Sequence, residues 1–204
     1  MRQSWRDLLF VHYRVDPAEA PTDLPVDTFD GSAWLTVTPH RIEDIRLRGL
    51  PPLPGLSSML EVSVRTYVTV SGRPAVLFSR LDTNRRLAAF VARRLFHTGY
   101  DVRDLRLRRD GDTFSFDSPD YRVRYRPSGE EFRAEPGTLE HFLTERYTMA
   151  IEGRGVHRCE FEYEPWRLRH AEVELIQDRL GEGAPELVRF SAMQEVRFGA
   201  PTLA

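Results

Sequence analysis

Apolar and polar residues alternate with a period of two along much of the chain, the pattern of strands buried on one face. Leu9, Val11 and Tyr13 alternate with Phe10, His12 and Arg14, and Ala33, Leu35 and Val37 with Trp34, Thr36 and Thr38. A longer strand carries Leu60, Val62, Val64, Val68 and Val70 on one face and Glu61, Ser63, Arg65, Tyr67 and Thr69 on the other. Ser71-Gly72 supplies a turn, and residues 75–82 pair back as a hairpin. Further strands are predicted over 102–108, 113–117 and 121–126, with Asp110-Gly111 as a hairpin turn between the first two. In YRVRYR the apolar face is Tyr121, Val123 and Tyr125, with three arginines opposite. Strands over 147–152, 156–164, 171–177 and 187–198 complete the pattern.

Helical periodicity enters in two places. Leu87, Phe90, Val91 and Leu95 form an apolar stripe that predicts a helix over residues 85–96 packed on the sheet. Asn84 is its expected N-cap, and Arg85 and Arg93 stay exposed. A short helix is predicted to start near Thr138 in PGTLEHFLTERY. The stretch RGLPPLPG, residues 48–55, reads as a loop. Many antiparallel strands with few helices imply an α+β fold, mainly an antiparallel curled or closed sheet, cone- or barrel-like. A length of 204 residues suits a single domain, 1–204.

Composition removes several kinds of chemistry. All 29 basic Lys-or-Arg positions are arginine, so no side chain can form a lysine Schiff base. A formal net charge of -2 offers no basic field for nucleic acid, and acids interrupt the arginine clusters, as in DVRDLRLRRD. The single cysteine, Cys159, excludes a disulfide within the chain and suits a reducing cytoplasm. The first residues do not read as a signal peptide, and no segment approaches the ~18 apolar residues of a membrane span. The expectation is a cytoplasmic protein with no membrane or nucleic-acid partner; a homo-oligomer is compatible with the chain.

The row Glu61, Ser63, Arg65, Tyr67 is the most informative polar pattern. Such a face either lines a ligand cavity or meets solvent. Glu61 and Arg65 lie four strand residues apart, roughly 13 Å, too far for an ion pair and suited to opposite ends of a ligand. His157 and Cys159 share a strand face where two zinc ligands could sit, but no second ligand pair accompanies them, and no metal is expected. Cys159 alternates with Phe161 and Tyr163 and reads as a buried small hydrophobe. No GxSxG, GxGxxG or Walker loop is present, and no cofactor is expected.

The segments SWRDLLFVHYRVD, FDGSAWLTVTPHRI, RGLPPLPG, LEVSVRTYV, SRLDTNRRLAAFVARRLF and GTLEHFLTERY resemble the YqjF-like family of uncharacterised bacterial proteins, over about residues 3–198. That family is similar in fold to acetoacetate decarboxylase. The resemblance implies a curled antiparallel sheet with a polar ligand cavity inside it, which favours the cavity reading of the Glu61 face. It also implies a cavity glutamate at or near Glu61 and, by a loose match, a cavity arginine near Arg6. The imine-forming lysine of the decarboxylases falls near Tyr100 or Asp101, neither of which forms an imine. The expectation is a protein that binds a small oxygenated or anionic molecule, with Glu61 as acid/base or polar anchor. Arg65, Tyr67, Ser63, Arg6 and Tyr100 are its expected ligand-binding residues. It is either an enzyme without Schiff-base chemistry or a non-catalytic ligand-sensing or structural interaction protein.

Overall fold

The computed structural model describes residues 1–46, 58–95, 99–153 and 155–204. The proline-rich stretch 48–55 and the last predicted position of the first helix lie outside the described residues. Among the described residues the strands are β1 (Arg2–Val15), β2 (Ala33–Arg46), β3 (Ser58–Val70), β4 (Arg73–Thr83), β5 (Tyr100–Val102), β6 (Arg106–Asp110), β7 (Thr113–Asp117), β8 (Tyr121–Phe132), β9 (Thr148–Gly153), β10 (Gly155–Glu162), β11 (Leu168–Asp178), β12 (Leu187–Phe198) and β13 (Thr202–Leu203). The helices are α1 (Arg86–Leu95) and α2 (Leu139–Thr144). The predicted strand over 102–108 is split between β5 and β6, and the β6–β7 turn falls on Gly111-Asp112, one residue later than expected.

One sheet runs in the order β13-β10-β9-β4-β3-β2-β1-β12-β11-β8-β7-β6, with β5 added beside β4. Most pairs are antiparallel; β4 pairs in parallel with β5 and β9. β10 also meets β12 through Phe161–Phe198 and Glu162–Arg197. That contact spans two residue pairs, so the sheet is strongly curled without being a closed barrel. Ser71 and Gly72, both at positive φ, make the tight β3–β4 turn, a conformation that matches the twist of the flanking strands.

The curl gives β1–β3 two buried faces. Leu9, Val11, Val37, Val62 and Val64 pack outward beneath an arm made of β6, β7, β8 and β11, against Phe114, Phe116, Tyr121, Val123 and Tyr125. On the far side of that arm Arg124 and Arg126 meet Glu174 and Glu172. The inner face packs Leu8, Phe10, Trp34, Ile42 and Tyr67 against Leu143, Phe161 and Trp166. Among the described residues no helix is long and apolar enough to cross a membrane.

The α1 helix corrects the stripe expected from periodicity. Leu87 is 53% and Phe90 57% exposed, whereas Ala88 and Ala89 are buried. The helix therefore lies on its small residues, and an alanine face allows the closest approach of its backbone to the sheet. Asn84 does not spend its side chain on the helix: its Oδ1 accepts from the Leu60 backbone N–H at 2.9 Å. The short helix matches expectation, with Thr138 as N-cap accepting from the His141 N–H.

These burials separate two substitutions by the shift each produces in chemical denaturation. Phe90→Ala changes stability by no more than about 0.5 kcal/mol, as an exposed site does. Phe116→Ala, at 1% exposure beneath the β6–β8 arm, costs about 3–5 kcal/mol. Equal midpoints for the two variants would contradict this assignment of the core.

Candidate functional site

The register of β2 and β3 stacks the candidate residues in cross-strand pairs. His40 lies opposite Glu61, Thr38 opposite Ser63, and Thr36 opposite Arg65. On the next strand His12 lies opposite Thr36. Alternation puts these side chains on the inner face, with Tyr67 two residues beyond Arg65. All are buried: Glu61 is 4% exposed, Arg65 6%, Ser63 1%, and Tyr67, Thr36 and His12 0%. The polar face is therefore internal, not an open solvated one.

At one end, Tyr100 on β5 donates its hydroxyl to Glu61 Oε2. Glu61 Oε1 stands 3.7 Å from His40 Nε2. Burial is the largest influence on Glu61; it disfavours the carboxylate, and with the nearby Asp82 charge it raises the pKa to about 7 against the lowering effect of the Tyr100 hydrogen bond. Burial lowers His40 to about 4 despite its bond to Thr38. Its Nδ1 lies 3.2 Å from the Thr38 carbonyl. A carbonyl only accepts, so Nδ1 carries the proton and Nε2 presents a lone pair towards Glu61. Tyr100 is held well above its usual value by burial and by Glu61, and stays a donor. This end holds a carboxyl group poised between its two forms near neutral pH, the condition for proton transfer.

The other end is cationic. Arg65 donates to the Leu143 carbonyl at 3.0 Å. Its guanidinium lies 5.2 Å from the Phe10 ring and 5.8 Å from the Tyr67 ring. Two neighbouring arginines have carboxylate partners, Arg146 with Asp27 and Arg189 with Glu140, each at 2.5 Å. Among the described residues no carboxylate lies within ion-pair distance of Arg65, and its Nε has no partner. A buried unpaired charge is costly, so the carbonyl and the two aromatic faces offset only part of its desolvation. Other inner-face polar atoms also lack partners, including His40 Nε2, Thr38 Oγ1 and Ser191 Oγ.

Glu61, Ser63, Arg65, Tyr67 and Tyr100 are thus brought together, and Arg6 is not. Asp7, at φ 57, sits in an irregularity of the β1–β2 pairing. That bulge inverts the alternation: Trp5 and Leu8 both point inward, and Arg6 points outward to Glu43 at 2.7 Å. Cys159 is a buried thiol raised to about 11, mainly by burial. Among the described residues no cluster of three or more His, Cys, Asp or Glu could hold a metal. His40, His12, Thr36 and Thr38 were missed as candidates. The signal was the even-numbered face of β2, with His12 on the matching face of β1, which becomes a site only once β2 is known to pair with β1 and β3.

The raised Glu61 pKa has a measurable sign. The folded state holds this proton more tightly than the unfolded chain, whose value is near 4.5. The Glu61 contribution to stability is therefore greatest below pH 4.5 and is lost as pH rises through about 7. In thermal melts Glu61→Gln gains relative to wild type between pH 5 and pH 8, and Tyr100→Phe moves the Glu61 midpoint upward. A pH-independent difference between wild type and Glu61→Gln would contradict the burial argument.

Comparison with known proteins bears on the fold and the family. The acetoacetate decarboxylase-like enzyme from Sphingomonas wittichii RW1 superposes with a TM-score of 0.61 at 13% identity, covering 100% of this chain and 92% of that one. Acetoacetate decarboxylase from Legionella pneumophila gives 0.61 at 12% identity, covering 100% and 86%. The enduracididine biosynthesis enzyme MppR complexed with pyruvate gives 0.65 at 14% identity, covering 99% and 89%. These likenesses establish an acetoacetate-decarboxylase-like fold. In sequence, the uncharacterized protein YqjF of Bacillus subtilis is 35% identical over 217 residues, 97% of this chain and 90% of that protein. The model of the DUF2071 family matches residues 2–195, and the chain belongs to that family of uncharacterized conserved proteins.

Proposed function

We propose that this protein binds a small oxygenated carboxylate on the inner face of β1–β3, with Arg65 taking the carboxylate and Glu61 exchanging a proton with the ligand. The observation that carries the reading is Arg65: buried, positively charged, and without a carboxylate partner among the described residues. A guanidinium in that state gains more from a carboxylate than one already paired. MppR, a structurally similar enzyme, is described in complex with pyruvate, a small carboxylate.

The chemistry differs from imine catalysis, because the chain has no lysine. Glu61 in its carboxylate form removes a proton from carbon next to a ligand carbonyl. The electron pair moves onto the carbonyl oxygen as an enolate, and the protonated carboxyl returns the proton. Tyr100 holds Glu61 in place through the shared hydrogen bond. Glu61 and Arg65 are roughly 13 Å apart along an extended strand. A ligand that engages both therefore carries its carboxylate well away from the reacting carbon. A cytoplasmic setting belongs to the same reading.

The test uses linear oxo acids of increasing chain length. Binding is measured by calorimetry, and exchange of ligand protons with deuterium oxide by NMR. Wild type binds and catalyses exchange. Arg65→Met weakens binding by about tenfold or more, as expected for loss of a charge-assisted contact. Glu61→Gln abolishes exchange while retaining binding. Binding without exchange in wild type favours the ligand-sensing alternative; no binding by any member of the series sinks the proposal.

A further inference from the structure

The hydrogen bonds around His12 have only one consistent direction. The Leu143 carbonyl cannot donate, so the Tyr67 hydroxyl donates to it at 2.8 Å. With that proton committed, the 2.7 Å contact between Thr36 Oγ1 and the Tyr67 hydroxyl requires Thr36 to donate. With the Thr36 proton committed, the 2.8 Å contact between His12 Nδ1 and Thr36 Oγ1 requires His12 to donate. The neutral ring therefore carries its proton on Nδ1 and a bare lone pair on Nε2. Burial is the main influence that lowers the His12 pKa well below 6.5, with Arg65 and Arg189 adding to it. The ring therefore stays neutral and Nε2 stays an acceptor. That atom is fully buried and has no partner among the described residues.

Its position is beside the cationic end of the site. His12 and Arg65 flank Thr36 from the two adjacent strands on the same face. Both lie against Phe10: the His12 ring stacks on it at 6.0 Å and the Arg65 guanidinium sits 5.2 Å from it. Arg65 offers a donor, Nε, and His12 an acceptor, Nε2, each unused. A bare carboxylate satisfies only the first, and a 2-oxo acid adds a further acceptor where an acceptor already stands. A carboxylate with a hydroxyl on the neighbouring carbon satisfies both.

We infer that the site selects 2-hydroxy carboxylates over 2-oxo and unsubstituted ones, with the ligand carboxylate on Arg65 and its hydroxyl donating to His12 Nε2. This rests on the reading of Arg65 as the carboxylate anchor and adds the ligand class at that end.

The test compares butyrate, 2-oxobutyrate and both enantiomers of 2-hydroxybutyrate by ligand-observed NMR titration. These acids are of nearly one size and differ at carbon two. One enantiomer of the hydroxy acid is expected to bind at least about tenfold tighter than the other acids, because a buried acceptor without a donor is costly. His12→Phe should bring the affinities of the three acids to within about twofold of one another. A second measurement needs no variant. In protein labelled with nitrogen-15 at histidine, the His12 Nε2 resonance should fall in the unprotonated range and shift on addition of the hydroxy acid. Equal affinities for the three acids, or a protonated Nε2, overturn this inference and leave Arg65 as an anchor. Failure of all the acids to bind, in wild type and Arg65→Met alike, overturns the anchor and this inference together.

Discussion

A guanidinium withdrawn from water without a carboxylate partner among the described residues is the constraint around which the inner face is arranged. Moving such a charge out of water costs several kcal/mol even after relaxation. Arg65 recovers part of that from the Leu143 carbonyl and from two aromatic faces. Each support is itself fixed by something else. Leu143 belongs to α2, whose start is set by the Thr138 cap. Its carbonyl also accepts from Tyr67, which accepts from Thr36, which accepts from His12. Three strands and one helix are thereby joined by a single directed chain of donors ending on the atom that also receives Arg65. Shifting α2 would break the chain at its only terminal acceptor.

The two ends of the row stay chemically distinct because a strand keeps them apart. If Glu61 and Arg65 were in contact, each would neutralise the other: the carboxyl pKa would fall and the guanidinium would be occupied. Four residues of extended backbone prevent this. Glu61 instead meets a neutral histidine and a tyrosine that stays protonated, so burial dominates and its pKa rises to about 7. The separation leaves a proton-transfer group at one end and an unpaired cation at the other, with the Thr38–Ser63 pair between them.

The fold is shared with decarboxylases, but the chemistry available is set by individual side chains. The resemblance aligns the region of Tyr100 with the decarboxylase lysine. A phenol held well above its usual pKa by burial and a neighbouring carboxylate is a hydrogen-bond donor, not a nucleophile. Its effect is exerted on Glu61, whose carboxylate form it favours. On the proposed reading, the same architecture then serves acid–base chemistry without a covalent intermediate.

Much of this was legible in the residues alone. Period-two alternation revealed most strands, the Thr138 cap marked α2, and the absence of lysine excluded an imine on a lysine side chain. The row Glu61, Ser63, Arg65, Tyr67 was visible because strand alternation is a local property. Its burial was not: a polar face on a strand looks the same whether it meets water or a curled interior, and only long-range pairing decides which. The same limit hid His40 and His12, whose importance arises from the register of β2 with β1 and β3. Arg6, expected at the site from a loose family match, points outward because the bulge at Asp7 inverts the alternation, and helical periodicity misjudged α1. There the apolar stripe was real, but the helix buries Ala88 and Ala89 and leaves Leu87 and Phe90 largely exposed. Local periodicities and the inventory of functional groups follow from the order of residues alone. Tertiary structure alone decided which face is inside and which groups meet, because both depend on contacts between residues far apart in the chain.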